Sequence, residues 1–216
     1  MNNETAEYEE LKPQEEKVAK LSLLSSRHKL NTDWNFWYVS RKEKENNTPY
    51  SERLTKVIGF NTLEDFFRYY MFLKSASEVD RNTDMALFKE GYKPLWEWCP
   101  DGGCWFIRFK KNDDPFELDL RWEKLLFALV GEQFAELNII GATLSVRTRE
   151  TIVELWFNYY KDESIKTRIG KKMETLLDIE KPYVLYFKDN EQSMADKSTL
   201  KNAETFNGKR KSTANY

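Results

Sequence analysis

The stretch Ile140-Gly141-Ala142-Thr143-Leu144-Ser145-Val146-Arg147-Thr148-Arg149-Glu150-Thr151-Ile152-Val153-Glu154-Leu155-Trp156-Phe157 reads as two β-strands joined by a short charged link. Side chains alternate across a strand, so Ile140, Ala142, Leu144 and Val146 fall on one face, and Thr143, Ser145 and Arg147 on the other. On the return strand Val153, Leu155 and Phe157 share one parity, which leaves Ile152, Glu154 and Trp156 on the opposite one. Trp156 therefore shares a polar sheet face with Arg147. A large aromatic beside guanidinium groups suits a ligand with a flat apolar part and an anionic part. The residues alone also allow a second reading, in which Arg147 and Arg149 are solvated hairpin charges and Trp156 packs sideways.

Outward from this hairpin, short aromatic and β-branched runs predict further strands at Trp34–Val39, Leu54–Phe60, Trp105–Phe109 and Tyr183–Phe187. Three segments carry one apolar stripe at helical spacing. They are Leu63/Phe66/Phe67/Tyr70, Leu118/Trp122/Leu125/Leu126/Leu129 and Ile165/Ile169/Met173/Leu176/Leu177. Asn61 or Thr62 is placed to cap the first of these, and the second follows Pro115. Strands interrupted by single helices, with a hairpin link at Asp101-Gly102-Gly103, predict an α+β fold. Its mostly antiparallel sheet is covered by three helices on one face, leaving the other face free to bind.

The 216 residues, 40% of them hydrophobic, suffice for one domain with tails. Residues 1–27 read as a disordered acidic tail, 28–189 as the folded domain, and 190–216 as a flexible segment whose lysines make it basic. The net charge of −2 is not that of a generally basic nucleic-acid binder. No apolar run is long enough for a membrane span, and no secretory signal pattern stands at the start, so an intracellular protein with no membrane partner is expected. Cys99 and Cys104 flank a turn with no second cysteine pair and no histidine cluster for zinc, and they read as reduced thiols.

Several ordered segments together resemble the eukaryotic cap-binding translation initiation factor 4E family. They are His28-Lys29-Leu30, Trp34-Asn35-Phe36-Trp37, Phe60-Asn61-Thr62-Leu63-Glu64-Asp65-Phe66, Leu95-Trp96-Glu97, Gly103-Cys104-Trp105, Gly131-Glu132-Gln133-Phe134 and Ser145-Val146-Arg147. The resemblance covers about residues 28–189 and implies a cupped antiparallel sheet with three helices on its convex back. It implies that the cup binds the 7-methylguanosine cap of messenger RNA. Trp34 and Tyr50 are then expected as the stacking walls, and Glu97 and the backbone of Trp96 as the contacts to the guanine edge. Trp156 is expected against the methyl group, and Arg147, Arg149, Lys197 and Lys201 near the phosphates. N7-methylation makes the base cationic, which strengthens its stacking on electron-rich rings.

The resemblance also implies a convex groove around His28, Leu30, Leu63, Phe67, Phe127 and Gly131. That groove would take a Tyr/Leu-bearing helix of a scaffold factor 4G-type protein or a 4E-binding repressor. Tyr50 replaces the family's usual tryptophan, which resembles class III members and predicts retained but weaker cap binding. Whether the chain promotes initiation or represses translation by occupying messages stays open at this level. The same resemblance places the protein in the cytoplasm, with the nucleus as a second location. Trp37, Trp105 and Trp122 are expected in packing, and Trp98 as core, rim or an accessory wall. No paired carboxylate with metal spacing, phosphate-cradling glycine loop or nucleophile with a histidine partner is present. A binding protein without cofactor or metal is therefore expected, rather than an enzyme.

Overall fold

The hairpin quoted above forms the middle of the sheet. Its strands are β5 (Ile139–Val146) and β6 (Glu150–Phe157), in register from Val146 opposite Thr151 to Gly141 opposite Trp156, with Ile139 opposite Phe157 after a register shift. The computed structural model describes residues 27–40, 48–158 and 161–206. Around the hairpin lie β1 (Lys29–Ser40), β2 (Leu54–Thr62), β3 (Thr83–Lys89), β4 (Gly103–Lys110), β7 (Tyr186–Asp189) and β8 (Glu204–Thr205). The order is β2-β1-β3-β5-β6-β4-β7-β8, and every neighbouring pair is antiparallel. The result is the expected α+β fold, a cupped antiparallel sheet.

Alternation along the strands divides the apolar residues into two clusters, one on each sheet face. Leu87, Trp105, Ile107, Ala142, Leu144, Val153, Leu155 and Phe157 belong to the larger cluster, which the helices complete. Those helices are α2 (Leu63–Tyr70), α3 (Pro115–Val130) and α4 (Glu163–Leu176), contributing among others Phe66, Trp122, Leu125, Ile169 and Met173. Ala86, Phe88, Cys104, Phe106, Ile152 and Trp156 form the smaller cluster on the opposite, concave face.

The helix starts have the chemistry expected of them. The Thr62 hydroxyl accepts from the Asp65 backbone N–H at 3.2 Å, so the cap of α2 is Thr62 and not Asn61. Asp114 accepts from Phe116 N–H at 3.0 Å at the start of α3, with Pro115 at the first helical position. Asp162 accepts from the backbone of both Ser164 and Ile165 at the start of α4.

Four features depart from the expectations. Strand β3 was not predicted: Asp84-Met85-Ala86-Leu87 has no β-branched residue, and tertiary pairing with β1 and β5 overrides its weak local preference. Ile140 belongs to the concave cluster and Ile139 to the convex one, because a register shift between Ile139 and Gly141 reverses the parity. Two short helices, α1 (Tyr50–Arg53) and α5 (Asn190–Asp196), join the three long ones. Finally, ordered structure runs beyond residue 189 through α5 and β8. Asn190 explains part of this, since its side chain donates to the Cys99 carbonyl at 2.7 Å and its backbone N–H to the Gly102 carbonyl at 2.9 Å. The buried Lys188 ammonium completes the tie by donating to the Asp196 carboxylate and the Lys201 carbonyl. Residues 1–26 of the expected acidic tail at 1–27, and residues 207–216 of the expected C-terminal segment, lie outside the described residues. Arg27 pairs with Asp65 at 2.8 Å.

Candidate functional site

The concave face carries a cavity of about 740 Å³. Its floor is built by strand register. Ser145 lies opposite both Asp84 of β3 and Ile152 of β6, and Thr143 lies opposite Glu154, so these side chains form one patch with Trp156 at its end. The 3-10 turn Trp96–Trp98 that precedes Cys99 also lines the cavity, as do Tyr50 at the start of α1 after Pro49 and the stretch from Lys197 to Leu200 that forms part of the rim. Lys197 adopts a left-handed backbone at the end of α5, which turns the chain back over the sheet.

The chemistry of this cavity is mixed by design of its strands. Trp156 is buried, packs edge-on against Phe88 with centroids 5.5 Å apart, and donates its indole N–H to Glu154 at 3.3 Å. Arg147 pairs with the buried Asp84 at 2.5 Å. Glu154 is 3% exposed. Burial, reinforced by the Asp84 charge, pushes its carboxyl up to about 7. Glu97 is exposed at the mouth, and Trp98 stands on the rim with the Lys93 ammonium 4.6 Å from its ring centroid. Cys104 is fully buried beside Trp105, where it fills space; burial raises its thiol well above the ordinary value.

Of the expected site residues, Tyr50, Trp96, Glu97, Arg147, Trp156 and Lys197 line this cavity together. Three do not. Trp34 is 1% exposed and belongs to the convex cluster with Phe36, Phe60 and Phe66, so the expectation that it forms a stacking wall is corrected. The reason is parity: Trp34 and Phe36 alternate onto the helix-covered face, while Trp37 faces the concave cluster. Arg149 sits exposed at the hairpin tip, away from the lining. Lys201 points its ammonium toward Asp196 at 3.9 Å and contributes its carbonyl to Lys188. Asp84, Arg53 and the Ser198-Thr199-Leu200 rim were not foreseen as lining residues. Thr143, Ser145 and Glu154 were placed on the correct face by alternation, which was the only signal for them.

On the convex side the expected partner residues also come together. Phe67 and Phe127 meet with centroids 5.8 Å apart, and Tyr70 meets Phe127 at 5.3 Å. His28 donates its backbone N–H to Glu64 and accepts the Leu63 N–H at its carbonyl at 2.9 Å, which ties the start of β1 to α2. Leu63 and Phe67 remain 38% and 43% exposed, so this patch is open to a partner.

A cupped antiparallel sheet backed by three long helices, with an aromatic and charged pocket on its hollow face, defines a ligand-binding domain. Comparison with known proteins identifies it further. The family model of Eukaryotic initiation factor 4E matches residues 29–205. Eukaryotic translation initiation factor NCBP of Arabidopsis thaliana is 34% identical over 179 residues, covering 81% of this chain and 79% of that protein. Eukaryotic translation initiation factor isoform 4E of Nicotiana tabacum is 32% identical over 174 residues, 79% of this chain and 86% of that one. Among solved structures, C. elegans eIF4E-3 in complex with the 4E-binding protein Mextli and cap analog aligns with a TM-score of 0.72 at 33% identity. That alignment covers 79% of this chain and 96% of that one. Ascaris suum eIF4E-3 with m7G cap aligns with a TM-score of 0.71 at 32% identity, over 76% and 92%. The chain belongs to the eukaryotic initiation factor 4E family.

Proposed function

We propose that this chain binds the 7-methylguanosine cap of messenger RNA in the concave cavity and brings capped messages to translation initiation. The observation that carries this reading is the convergence of Tyr50, Trp96, Glu97, Arg147 and Trp156 on one cavity, in a family whose solved members include complexes with cap and cap analog. With Trp34 in the core, the two aromatic walls are Tyr50 and Trp96, and the base slides between them. Each ring offers a π-face to a cationic base, the indole more strongly than the phenol. Glu97 accepts from the guanine Watson–Crick edge, and the Trp96 backbone N–H donates to the guanine carbonyl. Trp156 closes the methyl end, and Arg147 with Lys197 faces the phosphates. Nothing in this arrangement breaks a bond; like its family, the chain is a binding protein rather than an enzyme.

A Tyr/Leu-bearing helix of a scaffold or 4E-binding protein is proposed to dock on Leu63, Phe67 and Phe127. The exposed Phe67 ring and the solved relative's complex with a 4E-binding protein support this part. Retention on 7-methylguanosine resin, competed by methylated and unmethylated GTP, tests the cap reading. Selective elution by the methylated nucleotide is expected, and equal elution by both would refute it.

A further inference from the structure

The cavity floor contains more negative charge than a phosphate-binding site calls for. Glu154 and Asp84 are 3% and 2% exposed and lie at its base. Asp84 already counters the charge of Arg147. Glu154 accepts from the Trp156 indole N–H at 3.3 Å and is hydrogen-bonded to Thr199 of the rim. Opposite it across the strands, the Thr143 hydroxyl is 3% exposed, lines the cavity and has no partner among the described residues. Buried polar groups gathered under one cavity are costly unless paired, which sets this floor apart from the apolar core on the other face.

We propose that Glu154 is a specificity-determining residue that makes this pocket read the positive charge of the base more strongly than the number of phosphates. The inference rests on the cap-binding reading above. Glu154 and Trp156 are two residues apart on the same face of β6, so a base whose methyl meets Trp156 brings its delocalised cation close to the carboxylate. Additional phosphates, by contrast, bring negative charge toward Glu154 and find Arg147 already paired.

The groups facing Glu154 are Asp84 from β3, Arg147 after β5, the Trp156 indole on its own strand and Thr199 from the rim. Cys104 and Phe106 face it from β4, with the Lys188 ammonium of β7 beyond them. Burial and Asp84 dominate this environment and hold Glu154 near neutrality of titration, so a bound cation draws it toward the ionised form and expels a proton.

The test measures the affinity of the full chain and of Glu154→Gln for 7-methyl-GMP, 7-methyl-GTP and GTP. In the variant, the preference for methylated over unmethylated GTP is expected to fall by about fivefold, and the gain from monophosphate to triphosphate to rise by about fivefold. A folded variant with both ratios within about twofold of the parent would overturn the proposal. Calorimetry near pH 6 gives a second check, with the nucleoside 7-methylguanosine as ligand so that no phosphate titrates. The base's own N1–H exchange is common to both proteins, so binding is expected to release more protons from the unaltered chain than from Glu154→Gln; equal exchange in the two contradicts the proposal. Failure of every methylated ligand to bind would instead refute the cap reading itself.

Discussion

The two faces of the sheet are built from similar aromatic residues and do opposite things with them. On the convex face Phe36, Phe60 and Phe66 pack on one another at centroid distances of 5.5–6.4 Å, and Trp34 is sealed beside them. On the concave face Trp156 packs against Phe88 on one side and holds a carboxylate on the other, while Asp84, Glu154 and Lys188 are buried as deeply as the core. Apolar burial on the first face supplies stability. The second face carries desolvated polar groups whose cost is offset fully only when they are paired. Aromatic residue type thus says little about role, and the face decides it.

The largest expected effect separates the two tryptophans that open these faces. Trp34→Ala should cost about 3–5 kcal/mol of unfolding free energy, read by denaturant or thermal melts, because it empties a core site. Trp96→Ala, which removes a partly buried ring at the edge of the concave cluster, should cost less stability than Trp34→Ala and weaken 7-methyl-GTP binding by about 1–3 kcal/mol, the worth of one stacking wall. If Trp34→Ala weakened cap binding while the melt held, the division between faces would break.

Glu154 offers a second test on the concave side. Its carboxyl is raised from an ordinary value of 4.5 to about 7, so its contribution to stability is fully present below the lower value and is lost as the pH rises through the upper one. Glu154→Gln should therefore raise the unfolding free energy relative to the unaltered chain more at pH 8 than at pH 5, by a difference on the order of 2 kcal/mol read from denaturant melts. An equal effect at both pH values would mean that the carboxyl titrates normally.

Two smaller effects sharpen the comparison. Phe67→Ala, on the convex surface, should weaken a docked Tyr/Leu helix by about 1–2 kcal/mol in a pull-down or titration without changing cap affinity. Tyr50→Trp should tighten 7-methyl-GTP binding by about 1 kcal/mol, since an indole gives a larger and stronger π-face than a phenol.

Most of this architecture was legible in the sequence where hydrophobic alternation is clean. The β5–β6 hairpin shows it, as do the three long helices and the polar face that brings Thr143, Ser145, Arg147, Glu154 and Trp156 together. Legibility failed for definite physical reasons. Along β1 both faces are aromatic, with Trp34 and Phe36 against Trp37, so the pattern alone does not say which side the helices cover. The polar marker, Asn35, misleads because it is buried, its amide donating to Glu90 at 2.6 Å. The region after residue 189 reads as a tail because its order comes from polar contacts. Asn190 and Ser193 are completely buried and hydrogen-bonded, and apolar periodicity is blind to such anchors. Asp84 stands in a strand whose only strand-favouring residues are Thr83 and Phe88, so the local signature is weak there.

If cap recognition resides on the concave walls and depends on the charge of the base, it is read by titrating the unaltered chain and Trp96→Ala with 7-methyl-GTP and with GTP, each protein melted in parallel. Tighter binding of the methylated nucleotide to the unaltered chain is expected, with a loss of about tenfold or more in Trp96→Ala while that variant remains folded at the temperature of the titration. Equal affinity for the two nucleotides, or unchanged binding in Trp96→Ala, would contradict it.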